Sequence, residues 1–262
     1  MDLSKRLAKV ATLVRPADVL ADVGCDHGYL AIYLAEHKIC RRMIAMDVNK
    51  GPLQKAAENI VKYGYGSYIE TRLSDGLDKL GKGEAEGYVC AGMGGPLALQ
   101  IMWNDRDKIK DMKQIILQPQ SELWLVRRTL KQWGFVIEKE DVEYEDGKFY
   151  FMMRIVPGQQ LLMDCAPNAD DTLWQEACED TAGNDKMQEA DLRKAACELF
   201  AETLLEERNL LLKEYMLRER SRLTEVYETL SRQSDSPKSE RRRKAVAKDL
   251  AVLEWALARY ER

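Results

Sequence analysis

A short stretch near the start of the chain constrains it most. From Val19 to Leu30 it reads Val-Leu-Ala-Asp-Val-Gly-Cys-Asp-His-Gly-Tyr-Leu. The apolar run Val19–Val23 stops at Gly24. A second glycine follows at Gly28, and Tyr29, Leu30, Ile32, Tyr33 and Leu34 begin a helical pattern. This is strand, tight turn, helix. Gly24 lets the backbone turn where a Cβ would clash, and Gly28 opens the helix without crowding. Such a turn leaves backbone N–H groups pointing outward, so a ligand can lie on bare main chain. Asp22 sits at the strand end, with Asp26 and His27 inside the turn. A second strand, Met43–Met46, ends in Asp47, 23 residues past Gly24. A nucleotide-binding fold places its ribose-binding carboxylate about 20 residues on.

The dinucleotide fingerprint G-x-G-x-x-G is not met, because Asp26 stands at its second glycine. A pyrophosphate would meet a carboxylate where it needs close backbone, which disfavours NAD or FAD. A cationic ligand with an adenosyl ribose, S-adenosylmethionine, tolerates an acidic turn far better. The bland alternative is an ordinary βα turn with no ligand.

Strand and helix patterns then alternate. Residues 3–14 read as an amphipathic helix ended by Pro16. Further strands fall at Tyr68–Leu73, Tyr88–Ala91 and Gln114–Leu117, separated by helices that begin near Gly51-Pro52, Leu97 and Ser121. This alternation predicts a parallel sheet covered on both faces. Phe135–Val142 and Phe149–Val156 are two consecutive strand patterns around Asp146-Gly147, a hairpin signal. An α/β fold of the class I methyltransferase type, a Rossmann-like sheet closed by a hairpin, is the expectation. Ligands of such sheets bind at the carboxyl ends of the strands. Those ends are Gly24–Gly28, Asp47, Ser74-Asp75-Gly76, Ala91-Gly92-Met93-Gly94-Gly95 and Gln118-Pro119-Gln120. Turn formation alone explains Asp75-Gly76 well and the glycines after Ala91 poorly.

The chain has 262 residues, 45% of them apolar, enough for a sizeable core. It carries no long uncharged apolar run and no signal-peptide core at its start, so neither a membrane span nor export is expected. Six scattered cysteines without a C-x-x-C pair, and only two histidines, argue against a zinc site or a disulfide framework. A cytoplasmic protein without metal is the expectation. The net charge of −4 hides a basic end and an acidic middle: +1 over residues 1–157, −10 over 158–207 and +5 over 208–262. A local basic patch matters more to a nucleic-acid partner than the total.

Pro157-Gly158 marks a boundary between a domain over 1–157 and a second over 158–262. Residues 163–190 read as a polar, acidic insert. From Leu192 to Ser231 the pattern is helical, with Leu205, Leu212, Met216, Leu223, Val226 and Leu230 at heptad positions and Asn209 and Glu219 as polar exceptions. After a turn at Ser234–Pro237, Val246, Leu250, Leu253, Leu257 and Tyr260 repeat the spacing. Two such helices predict an antiparallel coiled-coil hairpin. Its exposed faces carry Arg218, Arg220, Arg222, Arg241, Arg242, Arg243, Lys244 and Lys248, which are either a solvated face or a nucleic-acid surface.

Ala21–Leu30, Ala91–Gly95, Ile116–Pro119 and Glu145–Lys148 together resemble the bacterial tRNA adenine-22 N1-methyltransferase family, TrmK, and the helical hairpin is similar to that family's C-terminal domain. The resemblance implies an enzyme with S-adenosylmethionine as donor and the D-arm of tRNA as substrate. Asp22, Gly24, Asp26, His27, Gly28, Asp47, Asp75, Gly76, Ala91, Gly92 and Met93 would then hold the donor. Asp26 and His27 are the candidates for chemistry: Asp26 stabilises the base or contacts the donor, and His27 accepts a proton or orders the turn. Arg218, Arg222, Arg241, Arg242, Arg243 and Lys244 would hold tRNA, with the chain acting as a monomer. A methyltransferase of another substrate and a non-catalytic RNA-binding module on the same fold are the alternatives.

Overall fold

The computed structural model describes residues 1–163, 166–167, 187–232 and 236–261. The chain divides into two units, Met1–Pro167 and Asn168–Arg262. In the first, the strands are β1 (Ala17–Val23), β2 (Cys40–Asp47), β3 (Ile69–Leu73), β4 (Gly87–Ala91), β5 (Gln114–Gln118), β6 (Phe135–Glu145) and β7 (Lys148–Pro157). The helices are α1 (Lys5–Leu13), α2 (Tyr29–Glu36), α3 (Lys50–Lys62), α4 (Gly95–Asn104), α5 (Arg106–Ile109) and α6 (Leu123–Gln132).

The strands form one sheet in the order β3-β2-β1-β4-β5-β7-β6. β1 to β5 run parallel, and β7 runs antiparallel to both β5 and β6. This is the expected class I methyltransferase arrangement. Side chains alternate across the sheet. Leu20, Met43, Val89 and Ile116 pack with Val10, Leu30 and Ile60 of α1, α2 and α3. Ala21, Ile44, Tyr88 and Ile115 pack with Leu99, Ile109 and Val126 of α4, α5 and α6. The strand order reverses between β1 and β4, whose ends lie side by side with Val23 opposite Cys90. Such a switch point leaves a cleft at the carboxyl ends of the strands.

The β6–β7 turn is tighter than the five-residue stretch that suggested it. It consists of Asp146 at φ 49° and Gly147 at φ 80°, both left-handed as a two-residue hairpin turn requires. Beside it, the Glu145 carboxylate accepts hydrogen bonds from the backbone N–H of Lys5 at 2.6 Å and of Arg6 at 3.3 Å. Ser4 Oγ accepts from Leu7 N–H at 3.2 Å. The first turn of α1 thus finds acceptors for N–H groups that have no helical partner.

The first unit continues beyond Pro157, where the composition changes. Gly158 N–H donates to Gly134 O at 3.0 Å and Leu162 N–H to Trp133 O at 2.9 Å, and Met163 is buried in the core. The chain folds back on itself after β7 because the end of α6 offers carbonyls there. The insert expected at 163–190 lies mostly outside the described residues.

The second unit contains α7 (Glu189–Phe200), α8 (Glu202–Glu206), α9 (Leu210–Arg232) and α10 (Pro237–Leu257), ending in a 3-10 turn, Ala258–Tyr260. α9 and α10 pack together, burying Leu212, Met216 and Leu223 of one and Val246, Leu253 and Leu257 of the other. The single helix expected from Leu192 to Ser231 is not formed. Ala201 at φ 69° and Arg208 at φ 51° break it twice. Leu205 therefore belongs to α8. Asn209 is a cap rather than a heptad exception, since its Oδ1 accepts from Leu211 N–H at 3.0 Å and Leu212 N–H at 3.1 Å.

Candidate active site

The cleft at the carboxyl ends of β1 and β2 is acidic. Asp22 is 3% exposed and Asp47 8%. Asp47 is anchored: Oδ1 accepts from Asn49 N–H at 2.8 Å and Oδ2 from Asp26 N–H at 3.4 Å. It therefore ties the turn after β1 to the end of β2. Oδ2 of Asp22, by contrast, is buried with no hydrogen-bond partner among the described residues. Burial, and then the neighbouring charge of Asp47, push the Asp22 carboxyl up to about 7. A buried carboxylate without a donor is costly, and a bound cation or hydroxyl would relieve it.

The turn itself is built by backbone sign. Gly24 at φ 74° and Gly28 at φ 72° are left-handed, as is Asp26 at φ 46°. A Cβ on Gly24 would collide with Met93 Cε, so the flexible end of the Met93 side chain rests against the β1 turn. Asp26 projects into solvent, with its side chain 70% exposed and Oδ1 3.6 Å from His27 Nε2. The His27 ring stacks on Tyr29 with centroids 5.6 Å apart, and its backbone carbonyl accepts from Asn59 Nδ2 at 3.0 Å.

The glycines after β4 separate into two roles. Gly92 at φ 90° is left-handed, and Arg6 Nη1 and Gln120 Nε2 each lie 3.6 Å from where its Cβ would be, an ordinary contact distance. Gly95 is a packing residue, since a Cβ there would stand 2.5 Å from Ser121 O. At β3, Asp75 is exposed at the cleft rim while Gly76 is buried under Ile101, 3.0 Å from a would-be Cβ. Gly76 at φ 52° forms the turn and packs on Ile101. Ala91 and Met93 are half-buried at the same edge.

Sequence reasoning missed Arg6. Its guanidinium Nη1 donates to Gln118 Oε1 at 2.7 Å and lies 5.6 Å from the centroid of the Tyr150 ring. It reaches the strand ends from α1, which periodicity marks only as an amphipathic helix. Burial holds the thiols of Cys25, Cys40 and Cys90 well above the usual range, which disfavours the reactive thiolate at these three positions.

Residues 3–153 match the family described as a methyltransferase domain. The chain belongs to this family. Over 150 residues it is 36% identical to the tRNA (adenine(22)-N(1))-methyltransferase of Bacillus subtilis, a match covering 57% of this chain and 63% of that protein. The chain thus spans less than two thirds of that relative's length. The crystal structure of the Bacillus subtilis tRNA methyltransferase TrmK is similar at TM-score 0.78 and 28% identity, covering 98% of this chain and 99% of that one. A putative tRNA methyltransferase of Streptococcus pneumoniae, in complex with S-adenosyl-L-methionine, is similar at TM-score 0.76 and 26% identity, covering 98% and 100%. Within the methyltransferase family the chain is of the TrmK type.

The basic residues singled out in this TrmK-type chain lie on α9 and α10. Arg218 pairs with Glu214, Arg222 with Glu219 and Lys244 with Glu240. Arg241 and Arg242 are exposed, and Arg243 is half-buried beside them. Local pairing at helical spacing is the ordinary state of an exposed face. Among the described residues no group of three or more His, Cys, Asp or Glu side chains forms a metal-binding cluster. No helix of these residues is long and apolar enough to cross a membrane.

Proposed function

We propose that this chain is an S-adenosylmethionine-dependent methyltransferase acting on N1 of adenine 22 in the D-arm of tRNA. The observation that carries the donor assignment is the buried, unpartnered carboxylate of Asp22 beside Asp47. A sulfonium cation carrying an adenosyl ribose suits that pair. The residues present fit such a donor: Asp47 and Asp22 on the acidic side, the left-handed turn Gly24–Gly28 beneath, Ala91 to Met93 at the β4 edge and Asp75 at the rim. When bound, S-adenosylmethionine supplies an electrophilic methyl group.

The chain's own contribution is alignment and charge. Adenine N1 has an in-plane lone pair and needs no covalent enzyme intermediate, so the cleft has to hold base and methyl group in line. N1 gains positive charge as it is methylated. Asp26, exposed at the mouth of the turn, is placed to stabilise that charge. His27, stacked on Tyr29, orders the turn. The target base must leave its stack to enter such a cleft. The named activity of the Bacillus subtilis relative supports tRNA as the substrate. The second unit, with its basic α9 and α10, is the part that grips RNA through Arg218, Arg222, Arg241, Arg242, Arg243 and Lys244. The reading involves one copy of the chain, no metal, and work in the cytoplasm.

The test is methyl transfer from labelled donor to an unmodified tRNA transcript, followed by nucleoside analysis. Labelled 1-methyladenosine is expected, and it should vanish when adenine 22 is replaced. Label on another base, or none, overturns the assignment. In the same assay Asp26→Asn should lower turnover with little change in tRNA affinity. Wild-type turnover rules that role out.

A further inference from the structure

The cleft is electrically lopsided. Asp22, Asp26 and Asp47 occupy its β1–β2 side. Its β4–β5 side presents donors instead: Arg6 Nη1 and Gln120 Nε2, both 3.6 Å from the point a Cβ on Gly92 would occupy.

Arg6 differs from its neighbours in what holds it. Arg15, Arg41, Arg42, Arg72, Arg127 and Arg154 of the same unit each pair with a carboxylate, while Arg106, away from these strand ends, donates to Trp103 O and lies over the Trp103 ring. Arg6 rests on two neutral partners, the Gln118 amide oxygen and the Tyr150 ring. Glu145, whose carboxylate lies beside the start of α1, is taken up by backbone N–H groups there. The guanidinium is half-buried, its charge is uncompensated among the described residues, and only one of its N–H groups has a hydrogen-bond partner among them. A half-buried fork in this state is built to receive an anion, and guanidinium matches phosphate bidentately.

Two anions come near such a cleft, the carboxylate of the donor and the phosphodiester of the RNA. The turn after β1, with its free backbone N–H groups at the start of α2, already offers the donor's carboxylate a cradle. Arg6 cannot face the reacting edge of the base either, since a cation there would oppose the charge that N1 acquires. Resting on the reading above as an RNA methyltransferase, the geometry points to Arg6 as the residue that binds the phosphodiester of the target nucleotide. Gln120 serves as a neutral second donor. Phosphate contacts of this kind set position and register rather than sequence preference. Arg6 thus fixes how far the extruded nucleotide enters the cleft.

The experiment uses the full chain and unmodified tRNA with two variants, Arg6→Gln and Arg6→Lys. Arg6→Gln should raise KM for tRNA about tenfold or more. It should also reduce the salt slope of tRNA binding by about 0.7–0.9, the value of one neutralised phosphate. Its affinity for S-adenosylmethionine without tRNA, and its melting temperature, should stay at wild-type values. Arg6→Lys keeps the charge and removes the fork. It should keep the salt slope and raise KM about threefold. A fall in donor affinity that tracks the fall in activity overturns the proposal in favour of a carboxylate contact. Unchanged KM in both variants overturns it outright. A wild-type chain that does not methylate tRNA defeats the underlying functional reading instead, and is seen before any variant is made.

Discussion

Asp22 and Asp47 face each other from adjacent strand ends, and Oδ2 of Asp22 is buried without a hydrogen-bond partner among the described residues. Burial, and after it the charge of Asp47, disfavours the Asp22 carboxylate, and a cationic ligand there would offset both.

Asp22 titrates at about 7 in the folded chain against 3.8 for an ordinary aspartate. Its ionisation opposes folding, so the ligand-free protein should lose stability as pH rises from about 4 to about 7, with little further change from this group above that. Affinity for S-adenosylmethionine should rise over the same window as Asp22 becomes anionic. Affinity for the uncharged product, S-adenosylhomocysteine, should depend on pH less steeply. Asp22→Asn should melt higher than wild type at about pH 8 and bind the cationic donor more weakly. Calorimetry giving the same pH slope for both ligands would sink this account.

Asp47 ties the turn after β1 to the end of β2, and the proposed function gives it a ligand contact as well. Asp47→Asn keeps its shape and can accept only through one oxygen. It should weaken donor binding by about 1.5–3 kcal/mol, the value of a charge-assisted hydrogen bond. Unchanged affinity in a titration would remove Asp47 from the donor site.

Gly24→Ala tests the close approach of the Met93 side chain to the β1 turn. The left-handed φ of 74° alone costs a non-glycine residue about 1–2 kcal/mol. The new methyl would also collide with Met93 Cε. Gly24→Ala should therefore lower the melting temperature and weaken donor binding. Adding Met93→Ala removes the collision and leaves the backbone strain, so the double variant should recover in part. Full recovery would show that strain contributes nothing.

What could be read from the sequence followed local rules. The strand ends, the glycine turn and the Asp146-Gly147 hairpin each announce themselves within a few residues, and the sheet order follows from their alternation. Asp22, Asp26 and Asp47 were legible because carboxylates at strand ends are few. Arg6 was not, because its importance depends on which strand end α1 lands beside, and that is decided by Glu145 and Gln118, far along the chain. The break in the C-terminal helix was equally hidden. Ala201 carries no residue-type signal for its positive φ, and Asn209 fits a heptad gap as well as a cap. The packing role of Gly95 was hidden too, because a packing glycine and an exposed one read alike.

The second unit is the part to remove. Residues 1–167 alone should fold and bind the donor, since they own the whole sheet and the buried Met163. Ending the chain at residue 157 should lower the melting temperature, because it discards the hydrogen bonds to Gly134 and Trp133. The 1–167 fragment should methylate tRNA poorly. Neutralising Arg241, Arg242, Arg243 and Lys244 together in the full chain should weaken tRNA binding. It should also flatten the salt slope, by up to about 0.7–0.9 for each phosphate no longer neutralised. A fragment as active as the full chain would make the helical unit something other than an RNA grip.

The bond from Glu145 to the start of α1 also sets a clock. Lys5 and Arg6 leave the ribosome well before the carboxylate that orders their backbone, which is 140 residues behind Lys5. β7, which slots between β5 and β6, comes later still. Contacts of such long sequence separation form late, because the loop must close before it is rewarded. The nascent chain can therefore assemble its glycine turn and acidic strand ends while the arginine side of the cleft is still open. A growing chain would meet small ligands before it could seat a nucleotide. In this molecule α1 is made before the strands that hold it and is put in its place after them.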